Sequence, residues 1–328
     1  MESTTQNNLI LFADNAQIIK NEFLLHNTLT KKLAALLYAQ AGKAIDCEAI
    51  RQCYTLIKQN TGIFSAFRGD MVLGMAAMLS LSPNPQAVFD ETLKVYDLLK
   101  AVKLRPSDFL TFAAYQIASQ ADASEYENII ARTRSFYDGM KADHFFYTWQ
   151  DDYIFAAMLG LSELTVESGT ERIEQIFIRL KGEFWDKNSV QTLAQVLALG
   201  NSDDDAENRV LALRDALTAR TIQLNRSYTL PSLGILALLP ADIDTIIHDI
   251  EEAQTILRDQ KGFGSLSIST QKLLMFAAAF VADKYTQNVK DGIVTATIST
   301  SITNIIMAQQ AAMAAAIAAS SAAAASST

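Results

Sequence analysis

Short apolar stretches recur along the chain about every 40 residues. The plainest one runs from Leu73 to Leu81. Similar stretches begin at Leu33, Phe112, Phe155, Leu193, Leu233 and Leu273. Self-similarity at a fixed spacing of this size is typical of helical-repeat proteins, in which each two-helix unit buries its apolar face against its neighbours. The pattern therefore predicts an all-α fold of about six or seven tandem helical hairpins.

The segments between these stretches have a different, amphipathic pattern. Ile173, Ile176, Phe177 and Leu180 lie three or four positions apart and form one apolar stripe, which is typical of a helix with one buried face. By contrast, a helix that is apolar nearly all round is buried on most sides. The combination favours a curved α/α superhelix or a toroid-like ring of helix pairs. Polar residues on Thr111–Gln120 keep an open superhelix as an alternative.

The ends of the chain differ from its repetitive middle. We expect an N-terminal helix with a frayed end over residues 1–30, where Asp14 is a candidate helix cap. A hairpin domain follows over residues 31–292. Residues 293–328 carry no charge and are rich in Ala and Ser, which predicts a docked terminal helix with a fraying tail. A membrane anchor is the alternative for this segment, although Asn304, Gln309 and Gln310 oppose insertion.

Composition and charge exclude several classes of function. Half of the residues are apolar, the net charge is −9, and no basic stripe appears, so the sequence argues against nucleic-acid binding. Cys47 and Cys53 would lie roughly 9 Å apart along one helix, too far for a disulfide. Residues 1–30 lack a secretory pattern, which predicts a cytoplasmic protein. We predict no metal and no cofactor.

The apolar units at 73–81 and 155–162, together with the Asn304–Gln310 segment and its Ala/Ser ending, resemble a bacterial family catalogued as domain of unknown function 4003. The resemblance covers essentially the whole chain. It implies a bacterial cytosolic protein and supplies no activity or site residues. The hairpins also look like those of α/α-toroid enzymes such as cyclases and glycosidases, but a shared fold does not fix function.

The densest group of chemically useful residues lies between His144 and Tyr153. His144, Asp151 and Asp152 are candidate catalytic residues, because imidazole and carboxylate groups perform acid–base catalysis. Tyr147, Trp149 and Tyr153 are candidate ligand-binding residues, because aromatic rings offer flat apolar surfaces with polar ends. In the structural alternative, the aromatic residues wedge between neighbouring hairpins and the aspartates cap the next helix.

A second acidic group has the pattern Asp-Asp-x-x-Glu at Asp203, Asp204 and Glu207. It is similar to the aspartate-rich motif that holds Mg²⁺ on a diphosphate. Acidic residues also suit the first turn of a helix because they oppose the positive end of its dipole. Without a second metal motif or a basic clamp, the solvated first turn is the favoured interpretation.

Two functional hypotheses follow from these patterns. The first is a non-enzymatic scaffold that binds a protein or peptide on the surface formed by the apolar helices and the adjoining loops. The alternative is an α/α-toroid enzyme, a hydrolase or lyase acting on a small or glycan-like substrate, with His144, Asp151 and Asp152 near the mouth. Neither hypothesis includes a nucleic acid, and the composition argues against a membrane partner.

Overall fold

The structure is a computed structural model that describes residues 3–200, 205–225 and 229–290, the side chains of 286–290 excepted. Over these residues the chain forms fourteen α-helices and no β-strand. The all-α prediction is confirmed for this part of the chain. The helices are α1 Ser3–Glu22, α2 Thr28–Gln40, α3 Cys47–Asn60, α4 Val72–Leu81, α5 Pro85–Ala101, α6 Asp108–Gln120, α7 Tyr126–Asp143, α8 Asp152–Leu161, α9 Val166–Leu180, α10 Lys187–Leu199, α11 Ala206–Ala219, α12 Leu230–Ala237, α13 Ile243–Arg258 and α14 Thr270–Lys290.

The recurring apolar stretches coincide with the even-numbered helices from α2 to α14. In α4 every residue from Val72 to Leu79 is buried, and in α8 every residue from Asp152 to Gly160 is buried. The odd-numbered helices carry the charged faces, as in α9, where Ile173, Phe177 and Leu180 are buried between exposed positions. Burial on all sides therefore distinguishes the even helices, as their sequences predict.

The first helix begins earlier than the sequence suggests. Asp14 lies inside α1, which starts at Ser3, so the prediction that Asp14 caps this helix is wrong. Leu9, Phe12 and Ala16 are buried at helical spacing on both sides of Asp14. Because this apolar stripe continues upstream of Asp14, the helix extends with it.

The chain divides into two compact units. The N-terminal unit contains residues 14–139 and 149–163. The C-terminal unit contains residues 3–13, 140–148 and, among the described residues, 164–200, 205–225 and 229–290. The predicted division into residues 1–30, 31–292 and 293–328 stays a prediction, and the uncharged tail from residue 291 onward lies outside the described residues. No helix within the described residues is long and apolar enough to cross a membrane.

In the N-terminal unit, each apolar helix packs on another apolar helix and on the charged helix that precedes it. Helix α2 contacts α4 and α6 contacts α8, while α3 contacts α4 and α5 contacts α6. Gly74 of α4 marks one close approach, because a Cβ atom there would lie 3.1 Å from Leu33 Cδ2 on α2 and 3.4 Å from Phe112 Cζ on α6.

Helices α7 and α8 approach even more closely at Gly160. A Cβ atom at this position would lie 2.9 Å from the backbone oxygen of Ile129 and would also collide with Thr133 Oγ1. Arg132 of α7 then reaches the carboxyl end of α8, where its Nε donates to Gly160 O at 2.9 Å and its Nη2 donates to Ser162 O. The guanidinium satisfies carbonyl groups that have no partner within the helix.

The C-terminal unit repeats the same pattern of contacts. Helix α10 contacts α12 and α12 contacts α14, while α9, α11 and α13 each contact the apolar helix that follows them. Arg209 of α11 reaches the end of α12, with Nε donating to Ala237 O at 2.6 Å and Nη2 donating to Leu239 O at 3.0 Å. Arg132 and Arg209 therefore perform the same capping in two different hairpins.

Candidate functional site

His144 follows α7 directly and is buried in the C-terminal unit. Its Nε2 lies against Oε2 of Glu174 on α9, and its ring centroid lies 4.0 Å from that of Phe177 on the same helix. The Glu174 side chain keeps 32% of its surface exposed. The imidazole is therefore enclosed by α9, with only its pairing to a carboxylate reaching toward water.

The position of His144 belongs to the repeat. Four other loops between an odd helix and the next even helix place a buried apolar residue at the equivalent position, at intervals of 40 or 39 residues. We call these five positions the loop slot: Leu104, His144, Phe184, Leu224 and Phe263. In each case the side chain seals the turn between two helices. His144 thus occupies a packing position that the other hairpins fill with Leu or Phe.

The residues after His144 point their aromatic rings into solvent. Phe145 is 64% exposed and Phe146 is 78% exposed. The two rings contact each other edge to face with centroids 5.5 Å apart, and Lys141 Nζ lies 5.6 Å from the Phe145 centroid. Tyr147 is half-buried, with its ring centroid 6.0 Å from that of Phe177. This half of the segment offers an apolar surface beside a cation.

Thr148 anchors the same segment to the interior of the C-terminal unit. Its hydroxyl accepts a hydrogen bond from Gln191 Nε2 at 2.8 Å and donates toward the backbone oxygen atoms of Met140 and His144. Gln195 Nε2 lies 3.1 Å from the Met140 sulfur. Both glutamine side chains are fully buried, so a polar network below the surface fixes the aromatic segment above it.

The other half of the predicted site belongs to the N-terminal unit. Trp149 is 62% exposed. Asp152 is buried, and its Oδ2 accepts a hydrogen bond from the Trp149 N–H at 2.8 Å. Asp151 is half-buried at the start of α8 and does not accept a capping hydrogen bond through its side chain. Asp152 therefore fixes the turn that carries Trp149.

Tyr153 is buried in α8 and holds the preceding hairpin. Its hydroxyl accepts a hydrogen bond from the Arg105 N–H at 3.1 Å, and its ring lies 4.9 Å from that of Tyr137. Burial, together with the neighbouring Tyr153 and Asp152, raises the pKa of Tyr137 above its usual value. The N-terminal unit thus encloses two tyrosines and a carboxylate near the beginning of α8.

The predicted site residues therefore fall into two groups. His144 and Tyr147 lie in the C-terminal unit, whereas Trp149, Asp151, Asp152 and Tyr153 lie in the N-terminal unit. Phe145, Phe146 and the partner carboxylate Glu174 are additional residues that the sequence reasoning did not select. A search for exposed aromatic residues at equivalent positions in each repeat would have found the two phenylalanines.

The N-terminal unit also contains a perturbed carboxyl group that the sequence analysis missed. Asp108 of α6 lies directly against Gly69, where a Cβ atom would collide with its carboxylate. Burial and the neighbouring Asp70 raise the pKa of Asp108 to about 6, although hydrogen bonds from the backbone of Asp70 and Met71 oppose this shift. The carboxylate therefore accepts backbone N–H groups just before α4, the arrangement of a helix cap supplied by another helix.

The described residues contain no group of three or more His, Cys, Asp or Glu side chains that could hold a metal ion. Asp203 and Asp204 lie outside the described residues. Glu207 is buried and accepts two hydrogen-bonded contacts from Arg172, Nη1 to Oε1 at 3.1 Å and Nη2 to Oε2 at 3.3 Å. Its carboxylate is therefore engaged in a bidentate ion pair between α9 and α11.

Comparison with known proteins identifies a family without an activity. The family described as Protein of unknown function (DUF4003) matches residues 16–311 of the chain. No curated protein and no solved structure matches it. Function must therefore be inferred from the geometry of the chain itself.

Proposed function

The chain belongs to the DUF4003 family of proteins of unknown function, and we propose that it is a non-enzymatic scaffold that binds a protein or peptide partner. The proposal includes the finer architecture predicted from the sequence, tandem hairpins arranged as a curved α/α superhelix or toroid-like ring. Its support is that apolar helices contact apolar helices and charged helices contact the apolar helices that follow them, within each unit. Stacked repeats commonly present extended binding surfaces.

One observation carries the proposal. In the segment after α7, the residues with acid–base chemistry are turned inward, whereas the large apolar residues are turned outward. His144 is buried against Glu174 and Phe177, while Phe145 and Phe146 are exposed. Exposed aromatic side chains are enriched at sites that bind other proteins. The segment thus has the character of a contact surface.

The binding surface must lie on the loops. The sequence analysis placed it on the apolar helices and adjoining loops together, but α4, α8, α10 and α12 are almost entirely buried. Exposed large apolar residues instead occur in the loops after the odd helices, as at Phe64, Phe145 and Trp185. We therefore assign partner binding to these loops.

Site-specific photo-crosslinking in cells tests this assignment. A benzophenone amino acid replaces Trp185, which is 97% exposed, and in a matched control it replaces Ile178, which is 52% exposed on α9. We expect discrete crosslinked products at position 185 and none of the same size at position 178. Identical products at both positions, or no products at either, would contradict the proposal.

An α/α-toroid enzyme is the second candidate, a hydrolase or lyase using His144, Asp151 and Asp152. The observation that favours it is the buried Asp152 carboxylate near Tyr137 and Tyr153, since buried titratable groups cluster at functional sites. Purified protein would be screened against glycoside and ester substrates beside an Asp152→Asn variant. Turnover that disappears in the variant, while its circular dichroism is unchanged, would favour this candidate. A bacterial and cytoplasmic setting stays a prediction from the sequence.

A further inference from the structure

Four large apolar side chains of the C-terminal unit project from its loops. Trp185 is 97% exposed and Leu266 is 104% exposed, so neither is covered by its own chain. Phe145 and Phe146 project in the same way from the loop after α7. We call these four residues the loop tips. Each follows a loop-slot residue within three positions: Phe145 and Phe146 follow His144, Trp185 follows Phe184, and Leu266 follows Phe263.

The loop tips share one edge of the C-terminal unit. Helices α9, α11 and α13 contact one another in order, and so do α10, α12 and α14. Because short loops join each odd helix to the next even one, neighbouring odd helices run in parallel and their loops emerge on the same side. His144 supports this arrangement, since it follows α7 and contacts Phe177 near the end of α9. We call this side the loop edge.

Charge distinguishes the loop edge from the opposite edge. Six cations lie at or beside its loops, against four acids. Two of those acids are already engaged, because Glu183 pairs with Arg214 at 2.9 Å and Asp186 caps α10. The six cations are Lys141, Lys181, Lys187, Arg220, Arg258 and Lys261.

The opposite edge of the same unit is acidic. Over the described residues 164–171, 205–207 and 238–244, it carries six acids and no Lys or Arg. The six acids are Glu167, Glu171, Asp205, Glu207, Asp242 and Asp244. An acidic partner would be repelled from this edge and attracted to the loop edge.

The spacing of the loop tips selects the conformation of the partner. Packed helices lie about 8–10 Å apart, so equivalent positions in neighbouring hairpins are separated by about that distance. A polyproline II segment has three residues per turn and rises about 9.3 Å in that turn, which places every third side chain on one face. In a β-strand the same-face repeat is only about 6.8 Å. Aromatic side chains are also the usual surfaces that recognise polyproline II ligands.

We propose that the loop edge of the C-terminal unit binds an acidic polyproline II segment of a partner protein, with an apolar side chain at every third position. Phe145 and Trp185 contact successive apolar residues of the ligand, and Leu266 contacts one further along. Lys187 and Lys261 face the acidic residues between them. This inference rests on the proposed function and specifies the chemistry of the partner.

Fluorescence anisotropy with the full chain and labelled peptides tests the proposal. The ligand probe is a repeating Pro-Leu-Glu peptide of about 15 residues. One control replaces each Glu by Lys, and another has the period-four repeat Pro-Glu-Leu-Glu. We expect the first peptide to bind, with an affinity that falls as salt is added. The Lys peptide and the period-four peptide should both bind at least about tenfold more weakly.

Variants of the chain test the location. Because Trp185 is fully exposed, Trp185→Ser leaves the fold intact and should weaken binding at least about tenfold, whereas Ile178→Ser should leave it unchanged. Equal binding to all three peptides, no effect of Trp185→Ser, or tip-dependent binding to phosphatidylglycerol vesicles in place of peptide would overturn the proposal. If the peptides fail to bind while position 185 still crosslinks a protein in cells, only the ligand chemistry is wrong. If both fail, the proposed function is wrong as well.

Discussion

His144→Leu separates a packing role for this residue from a chemical one. The loop slot holds Leu at two equivalent positions, Leu104 and Leu224, and both are buried. Leu and His have similar volumes, so the substitution places the residue type of the other hairpins into the same space. If the slot is a packing position, the variant should fold and retain partner binding.

The magnitude follows from two opposing contributions. Burying a Leu side chain contributes about 1.5–3 kcal/mol relative to leaving it exposed. Removing the imidazole abolishes its pairing with Glu174, but that carboxylate is 32% exposed and can be hydrated instead. A partly exposed pair of this kind contributes about 0–1 kcal/mol. We therefore expect the free energy of unfolding of His144→Leu to equal or exceed that of the wild type by up to about 2 kcal/mol.

Urea unfolding followed by far-ultraviolet circular dichroism measures this difference, with His144→Ala as the matched control. The Ala variant leaves a cavity between the loop and Phe177 and should lose about 2–4 kcal/mol. The expected order of stability is Leu at least equal to His, and both above Ala. If the Leu variant is as unstable as the Ala variant, the equivalence of the loop-slot positions is refuted. His144 would then contribute mainly through Glu174.

Three further predictions concern the contacts that hold the hairpins. Gly160→Ala should lower the free energy of unfolding by about 1–3 kcal/mol, because a backbone oxygen obstructs the new Cβ. Gly74→Ala, whose nearest neighbour is a movable Leu side chain at 3.1 Å, should change it by less than about 1 kcal/mol in the same urea titration. Arg209→Met should cost about 2–4 kcal/mol by removing charged hydrogen bonds to the end of α12, with Arg209→Lys recovering part of the loss. Asp108 has a pKa raised to about 6 in the folded chain, so it binds its proton more tightly there than in the unfolded chain. The stability it contributes should therefore decline as pH rises from about 4 to about 6, and Asp108→Asn should remove that part of the pH dependence of urea unfolding.

The helices were predictable because their burial is written into local sequence. The apolar stretch predicted from Leu73 to Leu81 corresponds to α4, Val72–Leu81, and the stretch beginning at Phe155 lies within α8. A helix buried on all sides shows an uninterrupted apolar run, and a helix buried on one side shows a stripe. Asp14 failed as a cap signal since the apolar stripe runs through it, and burial outweighs a local capping preference.

The candidate site was less predictable because its contacts join residues that are distant in sequence. Glu174 lies 30 residues after His144, and Gln191 lies 43 residues after Thr148. Such pairs become visible only when the hairpins are superimposed. That superposition would have shown His144 in a slot filled elsewhere by Leu or Phe. The same alignment would have matched Arg132 with Arg209, each of which reaches a carbonyl 28 residues further along.

The charge difference between the two edges of the C-terminal unit and its loop tips have different physical origins. Helices α9, α11 and α13 begin at the acidic edge and end at the loop edge, so acids at their starts and bases at their ends complement the helix dipoles. This distribution would arise in a stable fold without any partner. Nothing of the kind accounts for Trp185 and Leu266, because a fully exposed large apolar side chain adds nothing to folding and promotes aggregation. A partner that covers these residues removes that liability, and the cations placed beside them by the helix dipoles then favour a partner that is acidic.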